Sequence, residues 1–65
     1  MRFWIQCTRF ETGQATHINI ALVGSMWRDG ERTILAFVGG DGQIEVNETP
    51  EHILAVHLGA PAAAV

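Results

Sequence analysis

The sequence predicts a small α+β domain that is mainly β: an antiparallel five-strand meander, or a partly open barrel, with one C-terminal helix over 50–58. Three observations predict it. Short runs of period-two alternation recur along the chain, most plainly in "RFWIQCTRF" (2–10) and "ERTILAFV" (31–38). Glycine-bearing turns ("ETGQ", Asp29-Gly30 and "GGDG") separate the runs at intervals too short for a crossover helix, which argues against a parallel sheet. "TPEHILAVHLG" (49–59) carries helix punctuation at both ends.

The first run puts Phe3, Ile5 and Cys7 on one side and Trp4, Gln6, Thr8 and Phe10 on the other. Large apolar groups on both sides predict a strand covered at least in part on each face. "ETGQ" (11–14) reads as a turn, with Gly13 free to take positive φ. "ATHINI" (15–20) is a second strand, and Asn19 marks a bend in it. "LVGSMWR" (22–28) and "ERTILAFV" (31–38) flank Asp29-Gly30, which predicts a hairpin with that pair at the centre of a type I′ turn. The outgoing strand sets Ile34, Ala36 and Val38 against Thr33, Leu35 and Phe37. "GGDG" (39–42) turns the chain again, and "QIEV" (43–46) returns with Ile44 and Val46 inward.

Thr49 is then a good N-cap, its hydroxyl able to accept from a free amide of the first turn. Pro50 suits the first helical position, and Glu51 sets negative charge at the positive end of the helix dipole. Ile53, Leu54, His57 and Leu58 fall on one side at helical spacing, so that side is expected to dock. Gly59 supplies the C′ residue and Pro61 bars continuation. Residues 1–59 thus read as one domain and "APAAAV" (60–65) as a flexible tail.

A chain of 65 residues buries only about 60% of its unfolded surface. Chains this small commonly gain stability from disulfides, a metal or another copy. Cys7 is the single cysteine, so no internal disulfide forms, and a cytoplasmic location is the expectation. "MRFWIQC" lacks the apolar core of a signal peptide, and no run approaches the roughly 20 apolar residues of a membrane span. With 48% hydrophobic residues and few places to bury them, a homo-oligomer is expected, a dimer above all, joined through strand edges or a Trp-bearing face.

The net charge is −3, and the fixed cations are Arg2, Arg9, Arg28 and Arg32, with no lysine. Four scattered arginines do not form the clustered cationic footprint of a phosphate-backbone binder, so nucleic acid is disfavoured as a partner. Catalytic and metal-binding readings are weaker still. His52 and His57 are five residues apart, about 140° around a helix axis, and do not share a face. Cys7 lies mid-strand among apolar neighbours and reads as an inert buried thiol. No cofactor is implied. Glu45, Glu48 and Glu51 read as a solvated acidic stripe. The residues expected to make partner contacts are Trp4, Trp27 and Arg28, because Trp and Arg are enriched at binding hot spots.

Gly13, the "IN" pair (18–19), "TILAF" (33–37), a glycine turn and "IEVNETPEHIL" (44–54) together resemble the FlbD-type family of small bacterial flagellar proteins. That family's pattern begins with a strand, reads Leu-Asn-Pro after the first turn, and ends in hydrophobic-x-Val-x-Glu-x-x-Glu-x-Ile. Here Ile20 stands where the family has Pro, and "GSMWRDGER" (24–32) replaces a more polar hairpin. The resemblance implies a non-enzymatic accessory protein that acts through protein contacts. The sequence-level expectation is therefore a self-associating interaction or assembly module with an as yet unknown protein partner; the alternative is a small-barrel nucleic-acid-binding protein.

Overall fold

A computed structural model of the chain describes residues 1–40 and 42–59. It is mainly β, with strands β1 (Trp4–Thr8), β2 (Ala15–Asn19), β3 (Val23–Asp29), β4 (Arg32–Phe37) and β5 (Gln43–Val46), followed by helix α1 (Pro50–His57). The expected tail at 60–65 lies outside the described residues.

The five strands form two antiparallel sheets, β1–β2 and β3–β4–β5, and not one continuous meander. The sheets meet at a corner where Arg9 bridges Val46. There Phe10 N–H donates to Glu45 O (3.0 Å) and Asn47 N–H to Thr8 O (2.9 Å). The spatial order is therefore 2-1-5-4-3, without a closed barrel among the described residues. Following the antiparallel pairings around this order, β2 and β3 run in the same sense and cannot form a hairpin. The cause is local. Asn19 Oδ1 accepts from Ala21 N–H at 3.0 Å and caps a 3-10 turn over Ile20–Leu22, which carries the chain from one sheet into the other without reversing it.

The β3–β4 turn differs from the expected one by one residue. Asp29 pairs with Arg32, so Gly30 and Glu31 are the central residues. Only Gly30 has positive φ (64°), which is the pattern of a type II′ turn. The face pattern decides this: the observed register sets Met26 opposite Leu35 and Leu35 opposite Ile44, with all three toward the core. A turn centred on Asp29-Gly30 would set Met26 beside Thr33 instead.

The core is a single cluster of Ile5, Cys7, Ile18, Leu35, Val46, Ile53 and Val56, with Ile20, Val23, Met26, Phe37 and Ile44 packed against it. Helix α1 starts as expected. Thr49 Oγ1 accepts from His52 N–H at 3.1 Å, and Pro50 occupies the first turn. At the other end Gly59 takes φ 96° and donates to Val56 O at 3.0 Å. The helix buries Ile53 and Val56, whereas Leu54 and Leu58, expected on the docked side, stand 45% and 69% exposed. The buried stripe is thus rotated toward Val56, and His57 instead lies edge-on to Phe3, ring centroids 5.4 Å apart.

Candidate functional site

Strand alternation fixes where the two indoles go. Ile5 and Cys7 point into the core, so Trp4, Gln6 and Thr8 point outward, and Trp4 opposite Asn19 is 64% exposed. The outward face of β1 is thus covered only in part, at Thr8, and is open at Trp4 and Gln6. On β3, Met26 points inward and Trp27 outward, 43% exposed. Trp27 sits in a cross-strand row with Ile34 and Glu45. Ile34 is buried yet stands apart from the main core cluster, so the outer face of this sheet has an apolar centre of its own.

Charges frame that centre. Arg32 Nη1 donates to Glu45 Oε1 at 2.9 Å and Nη2 to Asp29 Oδ2 at 3.1 Å, with its guanidinium carbon 6.0 Å from the Phe10 ring centroid. The hydrogen bond that Arg32 donates to Asp29 foremost, and the charge of Glu45, hold Arg32 still more firmly in its cationic form.

Arg28 follows Trp27 in sequence and so projects from the opposite face of β3. Its Nη1 donates to Asn47 O (2.8 Å) and Thr33 Oγ1 (3.1 Å), and more weakly to Glu48 O (3.5 Å), while Nε donates to Gly30 O (3.1 Å). One side chain thus joins the β3–β4 turn to the β5–α1 junction and satisfies the buried hydroxyl of Thr33. Trp4, Trp27 and Arg28 do not share one surface: Trp4 belongs to the other sheet, and Trp27 and Arg28 face opposite ways.

The three glutamates do not form a solvated stripe. Glu45 pairs with Arg32, Glu48 accepts from both the amide and the hydroxyl of Thr8, and only Glu51 is left exposed in the first turn of α1. In "IEVNETPEHIL" four residues thus have structural jobs. Val46 and Ile53 are fully buried, Glu48 clamps β1, and Glu51 faces the helix dipole.

Cys7 is buried, and its thiol is pushed up to about 12 by burial first and by the Glu48 charge second. That keeps it protonated and unreactive at neutral pH. His17 is exposed opposite Gln6, and His57 Nδ1 donates to Arg2 O at 2.7 Å. Among the described residues no three His, Cys, Asp or Glu side chains gather as a metal site. Arg9, Glu11, Thr12, Gln43, Ile44 and Glu45 line a depression of about 250 Å³ of mixed charge, below the usual range of ligand pockets. No helix among the described residues is long and apolar enough to cross a membrane.

The surface that sequence reasoning missed is the outward pair of Leu54 on α1 and Leu58 at its C-cap; Val56, three residues beyond Ile53, was the signal for it. Comparison with protein-family models, curated proteins and solved structures finds no match for the chain.

Proposed function

We propose that this chain is a non-catalytic interaction module that associates with itself and presents an indole-bearing surface to a protein partner. The observation that carries this reading is the exposure of both tryptophans, 64% at Trp4 and 43% at Trp27, on the outward faces of two different sheets. Trp is costly to leave in water and enriched where proteins meet. Leu22, Leu54, Leu58 and Val38 are also more than 40% exposed, and the aliphatic core holds together without them. The protonated Cys7 thiol and the structural engagement of Glu45, Glu48 and Arg28 fit a module that works by contact. The resemblance of "IEVNETPEHIL" to the FlbD-type pattern agrees with an accessory role. Arg28 enters this reading as the residue that holds the Trp27 strand in place.

The test uses the two indoles as reporters. Trp4→Phe leaves Trp27 as sole emitter, and Trp27→Phe leaves Trp4. With rising protein concentration the emission of at least one variant is expected to shift to the blue, in step with an increase in mass by sedimentation equilibrium. Constant emission and a constant 7.1 kDa species for both variants and the wild type would overturn the self-association reading.

A further inference from the structure

The two outermost strands in the order 2-1-5-4-3 are β2 and β3, and each presents an edge that pairs with nothing among the described residues. We propose that the outer edge of β3 is the self-association seam, pairing antiparallel with the β3 edge of a second copy about a twofold axis at Met26. This rests on the self-association reading above and names its surface.

The hydrogen-bond phase comes from the ladder. Phe37 N–H donates across to Gly42 O, on the β5 side, and Val38 N–H to Leu22 O, on the β3 side. Alternate residues of β4 therefore serve alternate neighbours, and its Arg32, Ile34 and Ala36 serve β3. Their partners Asp29, Trp27 and Ser25 turn their amides and carbonyls inward to β4. Met26 and Arg28 turn theirs outward. An antiparallel mate that shares this phase completes those bonds, and the strand itself is such a mate when Met26 lies opposite Met26.

That register is self-complementary in shape and charge, as a twofold interface requires. Trp27 would lie opposite the partner's Ser25, and Arg28 opposite the partner's Gly24, a large group against a small one each time. Residues 24–27 carry no charge, and the charges that follow are already engaged, Arg28 by Asn47 and Thr33 and Asp29 by Arg32. No like charges therefore face each other across the seam.

The strand is lightly guarded for an exposed edge. It contains no lysine or proline, five of its seven residues are exposed, and its one irregularity, between Val23 and Ser25, falls at the Gly24 end of the seam and leaves the stretch from Ser25 onward regular. The β2 edge is less suited. The same construction there, centred on His17, sets two imidazoles opposite each other, and its outward side chains Ala15 and His17 offer little apolar area.

The test is sedimentation equilibrium on synthetic full-length chains, from micromolar to near-millimolar. N-methylation of the Met26 amide removes the outward donor and leaves the side chain and the β4 ladder untouched. It is expected to weaken the dimer by roughly tenfold or more with an unchanged circular dichroism spectrum. Ser25→Lys, on the outer face, is expected to do the same, and N-methyl His17 to leave the dimer intact. In wild type, the Met26 and Arg28 amides should exchange slowly when concentrated and quickly when dilute. A wild-type dimer that survives both the N-methyl Met26 and Ser25→Lys changes overturns the seam and leaves self-association standing. A wild type that is monomeric throughout overturns self-association itself. Should the N-methyl chain fail to fold, the exchange data decide: protection independent of concentration overturns the seam.

Discussion

The Glu48 carboxylate holds Thr8 at two points, accepting from its amide at 2.8 Å and from its hydroxyl at 3.0 Å. The pair is separated by 40 residues and closes the corner at which β1 meets the β5–α1 junction. Charge-assisted bonds of this kind are stronger than neutral ones, and the half-buried Thr8 amide has no other acceptor in place once the carboxylate is removed. Glu48→Ala is expected to lower unfolding stability by about 1–3 kcal/mol, measured by urea titration. A variant as stable as wild type would show that the clamp contributes nothing.

Arg28 joins three segments through a planar fork that lysine does not have. Arg28→Lys is expected to cost about 1–2 kcal/mol, because at least one of the carbonyl and hydroxyl acceptors loses its donor. Thermal unfolding at fixed protein concentration checks it. An unchanged midpoint with weakened association would restore Arg28 as a contact residue in its own right.

The Cys7 thiol, raised to about 12, has a linkage consequence. Between the ordinary thiol value and 12 the unfolded chain has lost this proton and the folded chain keeps it, so stability falls as pH rises through that window. Below the ordinary value both states hold the proton and the contribution is flat. Cys7→Ser, followed by chemical denaturation from neutral to alkaline pH, is expected to remove part of that slope. An aromatic disulfide reagent should leave the native thiol unmodified at neutral pH and react once denaturant is added; rapid native labelling would contradict the burial.

The two sides of α1 should respond differently. Ile53→Ala opens a fully buried position and is expected to cost about 2–5 kcal/mol. Leu54→Gln changes an exposed one and should fall within about 0.5 kcal/mol of wild type. Urea unfolding of the pair separates them. Equal costs would return the helix to the orientation that the sequence alone predicts.

Element positions were legible because each is punctuated locally. The strand runs, the Thr49-Pro50 cap and Gly59 announce themselves within a few residues. What the sequence did not disclose depended on distant partners. Asn19 reads as a bend, but only the Asn19–Ala21 bond and the Arg9–Val46 bridge turn that bend into a change of sheet. Asp29-Gly30 reads as a hairpin centre, and the core-facing Met26–Leu35–Ile44 row displaces it by one residue. Two of the three chosen contact residues are exposed aromatics. The third, Arg28, carries the side chain that fits an interface by type, and its acceptors, Asn47 and Glu48, lie too far along the chain for spacing to reveal them.

Arg2 N–H donates to His57 O at 2.9 Å, and the His57 ring donates back to Arg2 O. Backbone at the start of the first sheet is thereby within bonding distance of backbone at the end of the helix, which makes the path of the chain nearly circular. A short peptide linker could splice these two points, and the ring could be reopened at the Gly39-Gly40 bend with little loss of contact. A permuted chain starting at Gly40 should therefore fold to the same secondary structure by circular dichroism.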